Sequence, residues 1–185
     1  MAGDTTEASP ANVSLIDGCF EAEFLDSLIC IMDELPPDDT SRNMRATRQF
    51  LRDCDLAEQV FSRIPAHEKQ QRALSGVCCD LRFISYPIGG FIAPHRDGVR
   101  VDSETGHTTS TSMLLYLETV PEGEGAETTF LDRLPEECSA GESPSEVLKV
   151  RPIKGSLLLF PHDTPHQGEA VGGKFTKVLL RGDLY

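Results

Sequence analysis

The 185-residue chain lacks several features that would have settled its class at once. No apolar run approaches the roughly 20 residues that a membrane-spanning helix needs. Positive charge is scarce: 17 lysines and arginines stand against 30 aspartates and glutamates, a net charge of -13. That balance disfavours electrostatic binding to nucleic-acid phosphates or to anionic lipid. The N-terminal stretch has neither a basic segment nor an apolar core of signal-peptide length, so a cytoplasmic or nuclear protein with reduced thiols is expected. None of the six cysteines sits in a CxxC pair, and Cys78 and Cys79 point to opposite faces of a strand, so all six read as core or surface thiols. No repeat of fixed period is present.

What charge there is falls in two places. Residues 1–39 carry ten acids and no base, and residues 118–146 carry nine acids and one arginine. Residues 40–117 hold ten bases against eight acids, and residues 147–185 six against three. The middle and end of the chain are therefore mildly basic and suited to receiving an anion. If the acidic stretch 118–146 borders a pocket, it favours a neutral or basic substrate.

Residues 1–13 are small, polar and aperiodic, and are expected to be disordered. Apolar residues recur at helical spacing from Glu21 to Leu35, where Pro36-Pro37 stops the helix. A second helix is predicted from about Thr47 to Ile64, with Arg42, Arg45, Arg48 and Arg52 on one side. After Leu74 the pattern changes to short strands, predicted at 78–88, 91–97, 109–117, 127–131, 146–151, 156–161 and 175–184. Seven strands after two helices suggest a mainly β, helix-buttressed sandwich or jelly roll. The predicted organisation is a tail over 1–13, a helical buttress over 14–76 and a β core over 77–185.

Chemistry concentrates at His95-Arg96-Asp97. On an extended strand the histidine and the carboxylate share a face, and they close an apolar strand where unpaired charge is costly. His67 and His107 lie in polar, solvated contexts, whereas His162 and His166 follow the apolar run 156–161 and are the candidates for a third ligand. Two imidazoles and one carboxylate form the facial triad of non-haem Fe(II), which leaves coordination positions open. On the last strand Lys177, Leu179 and Arg181 share one face, with Val178 and Leu180 on the other. Lys177 is either a buried cation that needs an anion or a side chain that reaches back to solvent.

The run from Tyr86 through Gly89-Gly90 to Pro94-His95-Arg96-Asp97 resembles the prolyl 4-hydroxylase-like Fe(II)/2-oxoglutarate-dependent dioxygenases. Residues 112–117, 125–130 and 155–185 resemble that family's following segments in order. The resemblance implies a double-stranded β-helix core, iron at His95, Asp97 and His166, and 2-oxoglutarate held by Lys177 and Tyr86, with Ser112 near the co-substrate. It implies hydroxylation of a substrate C–H bond with release of succinate and CO2, on a prolyl or other protein residue or on a small molecule. 2-Oxoglutarate and dioxygen would be the partners, with ascorbate as a candidate accessory reductant. The non-enzymatic alternative is a sensor that binds iron and 2-oxoglutarate. Two departures stand out. His166 and Lys177 are eleven residues apart where the family commonly has ten, which places an extra residue near Gly172-Gly173 and leaves Arg181 as a rival anchor. Ile92 stands where collagen-type members often carry tyrosine.

Overall fold

The computed structural model describes residues 12–38 and 45–185; residues 1–11 of the predicted tail over 1–13 and Arg42 lie outside them. Helix α1 (Ala22–Glu34) buries Phe24, Leu25 and Leu28 and stops before Pro36-Pro37, as its periodicity predicts. The second predicted helix is overturned in its first third. Residues Thr47–Arg52 form a strand, preceded by the short strand β1 (Ser14–Ile16) and so numbered β2. The physical reason is pairing: β2 runs antiparallel to β3 (Asp80–Tyr86) over its whole length, from Thr47 opposite Ser85 to Arg52 opposite Asp80. The buried Gln49 side chain then donates to the carbonyls of Met32 and Leu35 at the end of α1. The helix proper, α2 (Cys54–Arg63), begins where the Asp53 carboxylate accepts the Leu56 N–H at 2.9 Å. A short α3 (Ala66–Gln71) follows.

The remaining strands are β4 (Ile92–His95), β5 (Thr111–Tyr116), β6 (Thr128–Leu131), β7 (Glu146–Val150), β8 (Leu157–Pro161), β9 (His166–Gly168) and β10 (Lys177–Leu184). They form two antiparallel sheets, ordered β1-β8-β5-β10-β3-β2 and β4-β9-β6-β7. The region 14–76 thus contributes the two edge strands of the larger sheet as well as helices. Strands β1, β2 and β9 have no counterpart among the seven predicted; the other seven match.

Period-two alternation divides the apolar residues between two cores. Phe83, Met113, Leu115, Leu157, Val178 and Leu180 face the helices. Ile84, Leu114, Tyr116, Leu158, Phe160 and Leu179 face the second sheet. The expectation of six reduced cysteines is corrected: Cys54 and Cys79 form a disulfide with Cα atoms 4.5 Å apart. The Asp53 N–H donates to the Cys79 carbonyl at 3.0 Å, which lays the start of α2 against the entry to β3. The other four thiols are free. No helix among the described residues is long and apolar enough to cross a membrane.

Candidate metal centre

The site is built where β4 meets β9. Ile92 opposes Gly168 and His95 opposes His166, so a three-residue step on one strand faces a two-residue step on the other. This bulge turns His95 onto His166, with ring centroids 4.3 Å apart. Asp97 follows the strand end, fixed by its N–H donating to the His162 carbonyl at 2.8 Å. One donor atom each from His95, Asp97 and His166 lies within 4.8 Å of the other two. No other group of three or more His, Cys, Asp or Glu among the described residues is so arranged.

The imidazoles are oriented alike. Nδ1 of His95 donates to the Ala93 carbonyl at 2.8 Å, and Nδ1 of His166 to the Thr164 carbonyl at 2.9 Å. Both Nε2 lone pairs therefore face Asp97, at 3.6 and 3.9 Å from its carboxylate oxygens. Burial lowers the His166 pKa to about 4, so its ring is neutral, the form a metal requires. Burial alone would raise the Asp97 pKa, but the neighbouring His95 and Arg181 hold it far below the usual carboxylate range.

Register brings His166, not His162, beside His95. His162 turns away: its Nδ1 is hydrogen-bonded with Ser112 Oγ at 2.8 Å, and its Nε2 with Thr109 Oγ1 at 2.9 Å. His67 is exposed, and His107 stacks on Tyr185. Ser112, which the resemblance puts near the co-substrate, lies against Asp97. Its hydroxyl donates to Asp97 Oδ2 at 2.5 Å, and it does not line the cleft in front of the triad. The reason is its row in the sheet: Ser112 pairs with Phe160 on β8 and Asp183 on β10, next to Asp97, whereas the cleft is reached two residues later at Leu114.

That cleft has Ile84, Ile92, Leu114 and Leu179 as apolar walls and Lys177, Arg181 and Arg48 as cations. Lys177 points inward and is 2% exposed. Its Nζ donates to Thr128 Oγ1 at 3.1 Å, which also accepts from the Tyr116 hydroxyl at 2.8 Å. No carboxylate of the described residues pairs with it, and burial lowers its pKa to about 7. Tyr86 sits opposite it across β3 and β10, with Nζ 5.5 Å from the ring centroid. A Cβ on Gly168 would come within 2.9 Å of the Ile92 side chain and 3.8 Å of Nζ, so glycine keeps this end clear.

Arg181 has a different engagement. Nη1 lies 2.8 Å from Asp97 Oδ1 and Nη2 3.2 Å from Asp183 Oδ1. Asp183, fully buried, also pairs with Arg82 and lies 3.5 Å from Arg100. Between His166 and Lys177, Gly173 has a φ of +56°, a conformation open to glycine. Sequence reasoning missed Thr128 and Tyr116 as polar partners of the lysine. The alternation of Ser112, Leu114 and Tyr116 along β5 was the available signal for the tyrosine.

The profile of the 2OG-Fe(II) oxygenase superfamily matches residues 81–182. The chain belongs to that family, whose enzymes use Fe(II) and 2-oxoglutarate. No curated protein sequence gives a significant match. Among solved structures, a prolyl 4-hydroxylase from Pseudomonas putida is similar at TM-score 0.63 and 20% identity, covering 93% of this chain and 91% of that one. A viral collagen prolyl hydroxylase from Paramecium bursaria Chlorella virus-1, in its 2-oxoglutarate complex, is similar at 0.64 and 18%, covering 93% and 94%. HygX from Streptomyces hygroscopicus, with nickel, 2-oxoglutarate and hygromycin B bound, is similar at 0.60 and 13%, covering 93% and 82%. The double-stranded β-helix expectation is thereby met.

Proposed function

We propose that the protein hydroxylates a C–H bond of its substrate, with succinate and CO2 as co-products, at an iron held by His95, Asp97 and His166. Lys177, with Tyr86 beside it, receives the far carboxylate of 2-oxoglutarate. The observation that carries this reading is the placement of a compact His-Asp-His donor set and a carboxylate-free, buried lysine on one cleft. Fe(II) with 2-oxoglutarate supplies the oxidising chemistry when bound.

The chain's own contribution is positional. The Ala93 and Thr164 carbonyls hold both imidazoles with Nε2 turned inward. Ser112 and Arg181 take one Asp97 oxygen each, which fixes the carboxylate and spreads its charge. Arg181, already engaged with two aspartates, is a poorer anchor for a second dianion than Lys177, whose one hydrogen-bond partner is Thr128. The apolar walls exclude water from the space between iron and lysine. Prolyl hydroxylases stand among the similar structures, so prolyl peptides are the first substrates to test. Ile92 lines this chain's cleft and shapes the space open to them.

Anaerobic titration of the full chain with Fe(II) and 2-oxoglutarate, followed by oxygen, tests the reading. A charge-transfer band and then succinate are expected from the wild type. His95→Ala, Asp97→Ala and His166→Ala should each lose at least ~1000-fold in turnover. A band that persists with no succinate under substrate screening would identify a sensor. Turnover that survives all three substitutions would remove the assigned site.

A further inference from the structure

Arg48 has no role in the chemistry so far, yet it lines the cleft. Its Nε is buried without a hydrogen-bond partner, and its guanidinium pairs with no carboxylate among the described residues. An arginine held in this way is a cation presented to something that arrives. Resting on the iron and 2-oxoglutarate reading above, we propose that Arg48 receives a carboxylate of the substrate, so that the enzyme acts on acidic substrates.

On the backbone Arg48 stands two strands from Lys177. Arg48 pairs with Ile84 on β3, which in turn pairs with Leu179 on β10, so a whole strand lies between Arg48 and the strand of Lys177. Two strand spacings amount to about 10 Å. Lys177 is enclosed deep between the sheets, against Thr128 of the second sheet. Arg48 is half-buried on β2, the edge strand of the larger sheet.

Charge leads to the same assignment. Among the described residues the only acid lining the cleft is Asp97, a proposed metal ligand already paired with Arg181. Apart from Thr128, no residue of the acidic stretch 118–146 lines the cleft, so the condition under which that stretch would favour a basic substrate is not met. With Lys177, Arg181 and Arg48 against Asp97 along the cleft, a bound dication and one 2-oxoglutarate leave two positive charges, that of Arg48 among them. A carboxylate from the substrate neutralises it with bidentate geometry.

The test uses the full chain loaded anaerobically with Fe(II) and 2-oxoglutarate, and reads the shift of the charge-transfer band as probes are added. Probes come in pairs of equal size: blocked Asp-Pro against Asn-Pro and Glu-Pro against Gln-Pro peptides, and N-acetylproline against N-acetylprolinamide as the small-molecule arm. The carboxylate member of at least one pair should bind about tenfold tighter than its amide. In Arg48→Gln that preference should fall below about twofold, and Arg48→Lys should retain part of it. Which arm shows the preference tells a peptide from a free acid as its source. Equal binding within every pair, a preference that survives in Arg48→Gln, or no carboxylate binding at millimolar concentration overturns the proposal. A tenfold loss of 2-oxoglutarate affinity in Arg48→Gln would reassign Arg48 to the co-substrate, leaving the iron site intact but overturning the substrate class. Failure of the wild type to show the band at all would strike the underlying reading, and this proposal with it.

Discussion

The two faces of the six-stranded sheet are made by the same strands and differ in almost everything else. On β10, Val178 and Leu180 enter the core beneath the helices, while Lys177, Leu179 and Arg181 look toward the second sheet. The helix side is apolar and closely packed, and it stabilises the fold by burial. The inner side contains a lysine without a counter-charge, an arginine on a metal-ligand candidate and three donors turned toward one point. Each of these costs stability in the empty protein and becomes favourable when a ligand supplies the missing charge. Stability and function are thus separated by one residue along each strand.

Substitutions on opposite faces test how complete that separation is. The largest effect is expected outside the site. Leu180→Ala, at a fully buried position on the helix side, should destabilise the protein by ~2–5 kcal/mol in chemical denaturation and leave 2-oxoglutarate affinity unchanged. A parallel loss of affinity would show that the two faces are coupled. Next, Lys177→Met should weaken 2-oxoglutarate binding by about 10- to 100-fold while raising the melting temperature of the ligand-free protein. A variant that is both weaker in binding and less stable would place Lys177 on the stabilising side of the comparison.

The smallest effect concerns protons. Lys177 titrates at about 7 in the folded protein against an ordinary 10.5. The penalty for burying it is absent above the unfolded value, grows as pH falls from there, and is complete below about pH 7. A bound carboxylate restores the ammonium, so 2-oxoglutarate should take up close to one proton on binding at pH 8 and little at pH 6. Affinity should weaken by about tenfold over that range. Calorimetry in buffers of different ionisation enthalpy reads the uptake directly. Equal uptake at both pH values would mean that the lysine is charged before the ligand arrives.

Much of this was legible in the chain. The His95-Arg96-Asp97 spacing, the alternation along β10 and the stop of α1 at Pro36-Pro37 depend on neighbours within a few residues, and all three appear in the structure as read. The arginines before α2 misled because a three-to-four spacing imitates a helix face. Phe50, half-exposed on β2, also hides the strand alternation. Strand β9 is three residues long, too short to announce itself, yet it carries His166. The pairing of Cys54 with Cys79 left no local mark, since it depends on where β2 ends beside β3.

The sequence by itself determined which donors exist and on which face of a strand they stand. Those are local properties of a period-two chain. Only the tertiary structure decided that His166 rather than His162 meets His95, that Ser112 donates to Asp97, that Lys177 is buried, and that Arg181 pairs with carboxylates while, among the described residues, Lys177 and Arg48 do not. Each of those choices is made between strands tens of residues apart. A bulge or a one-row offset there moves a side chain by several ångströms, and no local pattern encodes it.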